Sequence, residues 1–179
     1  MAHIVVLGAG LGGSIMAYEL ADEIGKGDTI TVVTKDPTYH FVPSNPWVAV
    51  GWRERDDITI DLAPTMKKKG IKFVTTAAQR LHPEENRLEL IDGTSISYDY
   101  IVIATGPELA FDEIEGLGPH GGFTQSVCHI DHALQAKVVF EELMKNPGPV
   151  IIGAVQGASC YGPAYEFCFI LETALRKAK

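Results

Sequence analysis

The chain is 179 residues long, 46% hydrophobic and 21% charged, which is the composition of an ordinary globular protein with one good core or two small ones. Its 23 acidic residues outweigh 15 basic ones, giving a formal charge of −8. That balance argues against a general nucleic-acid binder, which needs a basic face to displace phosphate counterions. The one dense basic run, Lys67-Lys68-Lys69, reads as a solvated helix end. The sequence shows neither a signal peptide nor an apolar run of about 18 residues, so no export and no membrane span are expected. Attachment to a membrane surface stays open. Three cysteines (Cys128, Cys160 and Cys168) fit neither a disulfide-stapled domain nor a zinc pattern, and no metal site is expected.

His3-Ile4-Val5-Val6-Leu7 is a continuous apolar run, as expected of a strand buried on both faces. The glycine-rich turn Gly8 to Gly13 follows, then a helical stretch from Ser14 to about Gly25 and a β-branched strand from Thr29 to Thr34. Together these make one βαβ unit. The segment from Pro37 to Ile60 is too aromatic for a linker and reads as an ordered loop with some helix. Asp61 is placed to cap a helix to Lys69, with Gly70 just beyond it and a parallel strand at Ile71 to Val74. Residues 79–97 alternate apolar and polar around an Asp92-Gly93 hairpin turn. Tyr100 to Ala104 is a further buried strand, ending at Thr105-Gly106-Pro107.

Gly116 to Gly122 reads as a boundary. Beyond it, Asp131 is expected to cap a helix to about Lys145, and Pro149 to Ile152 to form a strand. A second small-residue loop, Gly153 to Cys160, leads into a helix with Pro163 in its first turn, to about Lys177. The pattern of strand, small-residue loop and helix therefore occurs twice, and the second copy stops after its helix.

The first loop has the spacing GxGxxG at Gly8, Gly10 and Gly13. In such a loop the first glycine permits the turn, the second lets the backbone approach a pyrophosphate and the third allows close helix–strand packing. The phosphates then rest on the free N–H groups and positive dipole end of the helix. Because the motif follows a strand and opens a helix, dinucleotide binding is the better reading. The acidic ribose ligand expected about 20 residues on is replaced at the strand end by Thr34 and Lys35, with Asp36 next. Asp36 or Thr34 would serve a ribose, while Lys35 would suit a 2′-phosphate, so these residues do not choose between FAD and NADP. Ala104-Thr105-Gly106 is the second clue. In two-domain flavoproteins a strand ending in this triplet returns beside the first strand and touches the flavin nucleotide, so the two motifs together favour FAD.

The glycine spacing of the second loop is wrong for a pyrophosphate cradle. Cys160 stands just before its helix, where a dipole would stabilise a thiolate, and a buried structural cysteine is the alternative. Cys168, among Phe167, Phe169 and Ile170, is expected to pack in a core, and the role of Cys128 is open. By themselves, Glu166 reads as a dipole-compensating acid in the first helical turn and His132 as structural.

Four stretches now resemble one family: Gly8 to Gly13, Phe41-Val42-Pro43-Ser44-Asn45-Pro46-Trp47, Ala104 to Pro107, and Gly157-Ala158-Ser159-Cys160-Tyr161-Gly162-Pro163-Ala164-Tyr165-Glu166. Trp52-Arg53-Glu54-Arg55-Asp56-Asp57 belongs to the same likeness, which runs over the whole chain. They are similar to bacterial sulfide:quinone oxidoreductases. The resemblance implies an α/β fold: a Rossmann-like three-layer FAD-binding domain, with a parallel sheet and β-meander, over residues 1–115, and the start of a second dinucleotide-type α/β domain over 116–179. It implies FAD as cofactor, sulfide and quinone as partners, a location peripheral to the bacterial inner membrane, and leaves room for a homo-oligomer. It assigns Gly8, Gly10, Gly12, Gly13, Thr34, Lys35, Pro43, Ser44, Thr105 and Gly106 to the cofactor, and places Ala78 near the adenine. Cys160 becomes a redox cysteine and Cys128 an auxiliary one, with Glu166 and His132 handling protons near the sulfur. Family members are at least about twice this length. The second redox cysteine, the quinone pocket and the membrane-binding helices are expected beyond Lys179, which marks the chain as an N-terminal portion inactive by itself. A flavocytochrome sulfide dehydrogenase subunit, a type II NADH dehydrogenase and a non-catalytic dinucleotide-binding module are the rival readings.

Overall fold

The computed structural model describes residues 1–158 and 160–178. The chain forms two compact units, one of Met1–His40 with Ile60–Glu108, the other of Phe41–Thr59 with the chain from Leu109 onward.

In the first unit β1 (His3–Leu7) runs through the glycine turn into α1 (Leu11–Glu23) and returns as β2 (Thr29–Val33). The helix starts at Leu11, ahead of the expected Ser14, because Gly12 and Gly13 are already helical. The short β3 (Thr38–His40) follows; α2 (Asn45–Ala49) then lies in the other unit, and β4 (Thr59–Asp61) pairs with β3. Asp61 caps α3 (Leu62–Lys68) as its sequence predicts, its Oδ1 accepting from the Ala63 N–H at 3.0 Å. Gly70 then turns the chain with φ 71° into β5 (Lys72–Val74). The meander β6 (Ala78–His82), β7 (Arg87–Leu90) and β8 (Ser95–Ser97) comes next, and β9 (Tyr100–Ile103) completes the unit as an edge strand with Tyr100 and Ile103 exposed, not the buried strand its apolar run suggests. Its second turn is a three-residue loop in which Gly93 N–H reaches Leu90 O at 3.0 Å and Gly93 itself takes φ 81°.

The main sheet has the order β5-β2-β1-β9, and all three pairings are parallel. Side chains alternate across it, which gives each face its own core. Ile4, Val6, Ile30 and Val32 face α1 and α3 together with Ala17, Leu62 and Met66. Val5, Leu7, Val33 and Ile101 face the meander through Leu88, Leu90 and Tyr98. Helices, parallel sheet and meander are thus three layers. Thr31, a polar residue at 1% exposure in the middle strand, is satisfied by the His3 ring, whose Nε2 lies 2.8 Å from its Oγ1.

In the second unit α2 packs with α4 (Ile130–Lys145) and α5 (Gly162–Lys177) through Val48, Ala49, Ala133, Ala136 and Phe167, and through Val50, Phe140, Ile170 and Leu171. Two expectations fail here. The cap of α4 is His129, whose ring accepts from the Asp131 N–H, so Asp131 stands inside the first turn. Pro149–Ile152 forms no strand. No partner ladder runs beside it among the described residues, and Ile151 is 98% exposed. A β-branched run alone does not make a strand when its backbone groups have nothing to pair with.

Met66 is fully enclosed between α3 and the sheet, whereas the Asp61 cap is exposed. Met66→Ala should therefore cost roughly 2–5 kcal/mol and Asp61→Ala only about 1 kcal/mol, as read by denaturant unfolding.

Candidate functional site

The glycine turn is built by contacts that only glycine permits. Gly8 has φ 106°, and a Cβ there would sit 2.2 Å from the Ala104 carbonyl oxygen. A Cβ on Gly13 would fall 1.9 Å from Gly8 O and 3.3 Å from the Ala104 Cβ. These two glycines let α1 pass tightly against the ends of β1 and β9. Gly10 and Gly12 differ, because a Cβ on either would meet nothing within 4 Å. Their backbone faces open space at the N-terminus of α1. Gly10 is the cap residue, no side chain caps the helix, and its first turn holds no acid. Free N–H groups, an uncompensated dipole and an open approach are what a pyrophosphate requires.

Thr105 and Gly106 follow β9, and the Thr105 backbone N lies 3.0 Å from where a Gly8 Cβ would be. The parallel pairing of β1 and β9 thus brings the two sequence motifs together. At the end of β2, Thr34 Oγ1 donates to Asp36 O at 3.1 Å, and Asp36 Oδ1 accepts from both the N–H and the hydroxyl of Thr38. The Asp36 carboxylate is therefore tied into its own turn, while Lys35 is exposed. Ala78 opens β6 and packs partly buried against the core beneath the meander.

Pro43 and Ser44 belong to the second unit. Pro43 is exposed, and Ser44 is buried with its Oγ accepting from Arg53 at 3.1 Å. Arg53 also lies over the Trp47 ring, 4.5 Å from its centroid. Beside them Asn45 is wholly buried, and neither amide atom has a partner among the described residues. Asn45 opens α2 between Pro43 and Pro46, and no pattern in the residues marks it as a buried polar group.

Cys128, Cys160 and Cys168 are all exposed free thiols. The exposure of Cys160, two residues ahead of α5, removes the buried structural alternative. Cys168 corrects the expectation of a core position: Ile170, Leu171 and Ala174 carry the buried side of α5, which turns Cys168 and Phe169 outward. Glu166 is exposed and lies beyond the first turn, since the helix already starts at Gly162. Ser159, in the same motif, lies outside the described residues. His132 is buried at 8% exposure and its Nδ1 has no partner among the described residues. Burial pushes its imidazole below the usual histidine range; His129 and His120 push the same way, and Asp131 opposes them.

A parallel sheet whose first strand enters a helix through an uncapped, open glycine turn defines a dinucleotide-binding fold of the Rossmann class. Residues 2–158 match the family described as pyridine nucleotide-disulphide oxidoreductase, and the chain belongs to that family. It is 42% identical over 175 residues to the sulfide-quinone reductase of Aquifex aeolicus (strain VF5), a match covering 98% of this chain and 40% of that protein. To the mitochondrial sulfide:quinone oxidoreductase of Dictyostelium discoideum it is 29% identical over 180 residues, covering 99% of this chain and 39% of that one. The X-ray structure of the Aquifex aeolicus sulfide:quinone oxidoreductase superposes with a TM-score of 0.91 at 41% identity, over 99% of this chain and 40% of that one. The chain thus spans about two fifths of the length of these relatives. No helix among the described residues is long and apolar enough to cross a membrane.

The four loop glycines should separate into two kinds. Gly13→Ala drives a Cβ into backbone and should lower the melting temperature sharply or abolish folding, whereas Gly10→Ala should melt like the parent. Thermal unfolding followed by circular dichroism distinguishes them.

Proposed function

We propose that this chain is the cofactor-binding and cysteine-bearing portion of a flavoenzyme that oxidises sulfide and passes the electrons to quinone. The single observation that carries the reading is its 42% identity, along nearly its whole length, to the sulfide-quinone reductase of Aquifex aeolicus. The open backbone at Gly10 and Gly12 fits FAD at its ADP end, because this is where a Cβ would fill the cradle but meets no protein atom. Residues 1–115 would supply the cofactor half, and 116–179 would begin the domain of the sulfur chemistry.

In this reading Gly8, Gly10, Gly12 and Gly13 hold the pyrophosphate, with Thr105 and Gly106 alongside. Thr34 and Lys35 meet the ribose side, and Ala78 the adenine. Pro43 and Ser44 form a further contact, held in place by Arg53. When bound, FAD supplies a two-electron acceptor. The Cys160 thiolate bonds to the sulfur of hydrosulfide, giving a persulfide, one proton and two electrons. Its exposure beside the start of α5 leaves that sulfur free to react. Glu166 and His132 take the released proton, His132 being suited to a base because burial keeps it uncharged. Cys128 is auxiliary, giving a second exposed thiol for sulfur to rest on. Quinone takes the two electrons with two protons, and since quinones dissolve in lipid the enzyme would work at a membrane surface.

In the full-length protein, Cys160→Ala should lower sulfide-dependent quinone reduction by at least about 100-fold, with the visible flavin band retained. Undiminished turnover would remove Cys160 from the chemistry. Reduction driven by NADH in place of sulfide would overturn the assignment.

A further inference from the structure

His132 is the centre of a ring cluster. Its centroid lies 5.1 Å from that of His120 and 5.5 Å from those of His129 and Phe111, with the planes inclined by 53–66°. His132 is buried, whereas His120 and His129 are exposed. His129 caps α4, the helix that carries His132. His120 and Phe111 line an open cavity of about 370 Å³ together with Asp112 and Glu115. The charged group acting on His132 from its own helix is Asp131, which is shared between His129, 3.6 Å away, and Arg55, 3.1 Å away. Among the described residues the cluster is not arranged to hold a metal ion.

Three imidazoles, two of them in ring contact with the buried third, are poorly placed to be cationic together, because each charge raises the cost of the next. A proton added to the buried ring also faces desolvation, which the exposed rings escape. We propose that His120 and His129 are positioning residues for His132, their rings set against it so that charge on either one disfavours charge on the buried ring. The buried ring, whose Nδ1 has no hydrogen-bond partner among the described residues, then stays neutral and free to take a proton. This rests on the reading of His132 as a proton-handling group in sulfide oxidation, but the coupling itself is testable without any turnover.

The imidazole resonances of the chain would be followed by NMR across the range in which histidine titrates, about pH 5–8. Two variants remove a neighbouring charge while keeping its structural part. His120→Phe retains an aromatic ring against His132, and His129→Asn retains a side chain able to cap α4. In each, the His132 titration should move to higher pH; added apolar surface from phenylalanine would move it the other way, so an upward shift there reports lost charge. An unchanged or lowered His132 titration in both variants would overturn the proposal. In the full-length enzyme the acid limb of the pH–rate profile should move upward in step, since His132 would then become protonated earlier as pH falls. Absence of sulfide-driven turnover in the parent as well as both variants, with the NMR shifts present, would instead count against the sulfide assignment and leave the cluster standing.

Discussion

The first unit depends on two places where a side chain cannot exist. At Gly8 and Gly13 a single added carbon would penetrate to 2.2 and 1.9 Å from backbone oxygen, inside any van der Waals contact. Their absence of Cβ draws the start of α1 against the ends of β1 and β9. That approach in turn leaves Gly10 and Gly12, one step further out, with backbone facing open space. Two packing glycines thus flank two open ones along one short loop, and the tightness of the former produces the exposure of the latter. The dipole of α1 ends at the same point with neither a side-chain cap nor an acid to offset it.

The sheet holds this turn in place because it is buried from both sides. Val5 and Val6, adjacent in β1 and both fully enclosed, belong to different cores, one under the meander and the other under the helices. A strand with two covered faces reads as a continuous apolar run, as β1 does; β9, equally apolar in sequence, lies at the sheet edge with Tyr100 and Ile103 exposed. The meander covers the face that a second crossover helix would otherwise occupy, and its last strand delivers the chain directly to β9, with the Asp99 N–H donating to His3 O at 2.8 Å. In this way the Thr105-Gly106 turn is returned beside a glycine loop almost a hundred residues earlier in the sequence.

Most of that unit was legible in the residues because its signals are local and mutually consistent: the GxGxxG spacing, the Asp61 cap, the Asp92-Gly93 turn and the alternation of the meander. The errors cluster in the second unit. Pro149–Ile152 has strand composition but no partner ladder among the described residues, a non-local fact that composition cannot report. Asp131 has a good capping side chain, yet His129, two residues earlier, supplies the acceptor. Cys168 sits among apolar neighbours in sequence and faces outward nonetheless, since which side of α5 is covered depends on α2 and α4. His120 and His129 carried no motif at all; only the folded chain brings their rings to His132. Cys160 and the glycine loop carry local signals, whereas only the folded chain brings Arg53 to Ser44 and the histidines to His132.

Two local features therefore share one polypeptide: a glycine turn shaped by the absence of side chains, and exposed thiols near helix starts with an imidazole elsewhere in the same unit that burial pushes below the usual histidine range. The central claim is that the cradle takes the ADP end of FAD. Equilibrium titration of the protein with FAD, in competition with ADP and separately with FMN, tests it most directly. ADP should displace FAD and FMN should not, and filling the open cradle with Gly10→Val should weaken FAD binding at least about tenfold, or 1.4 kcal/mol. Displacement by FMN as readily as by ADP, or FAD binding indifferent to Gly10→Val, would contradict it.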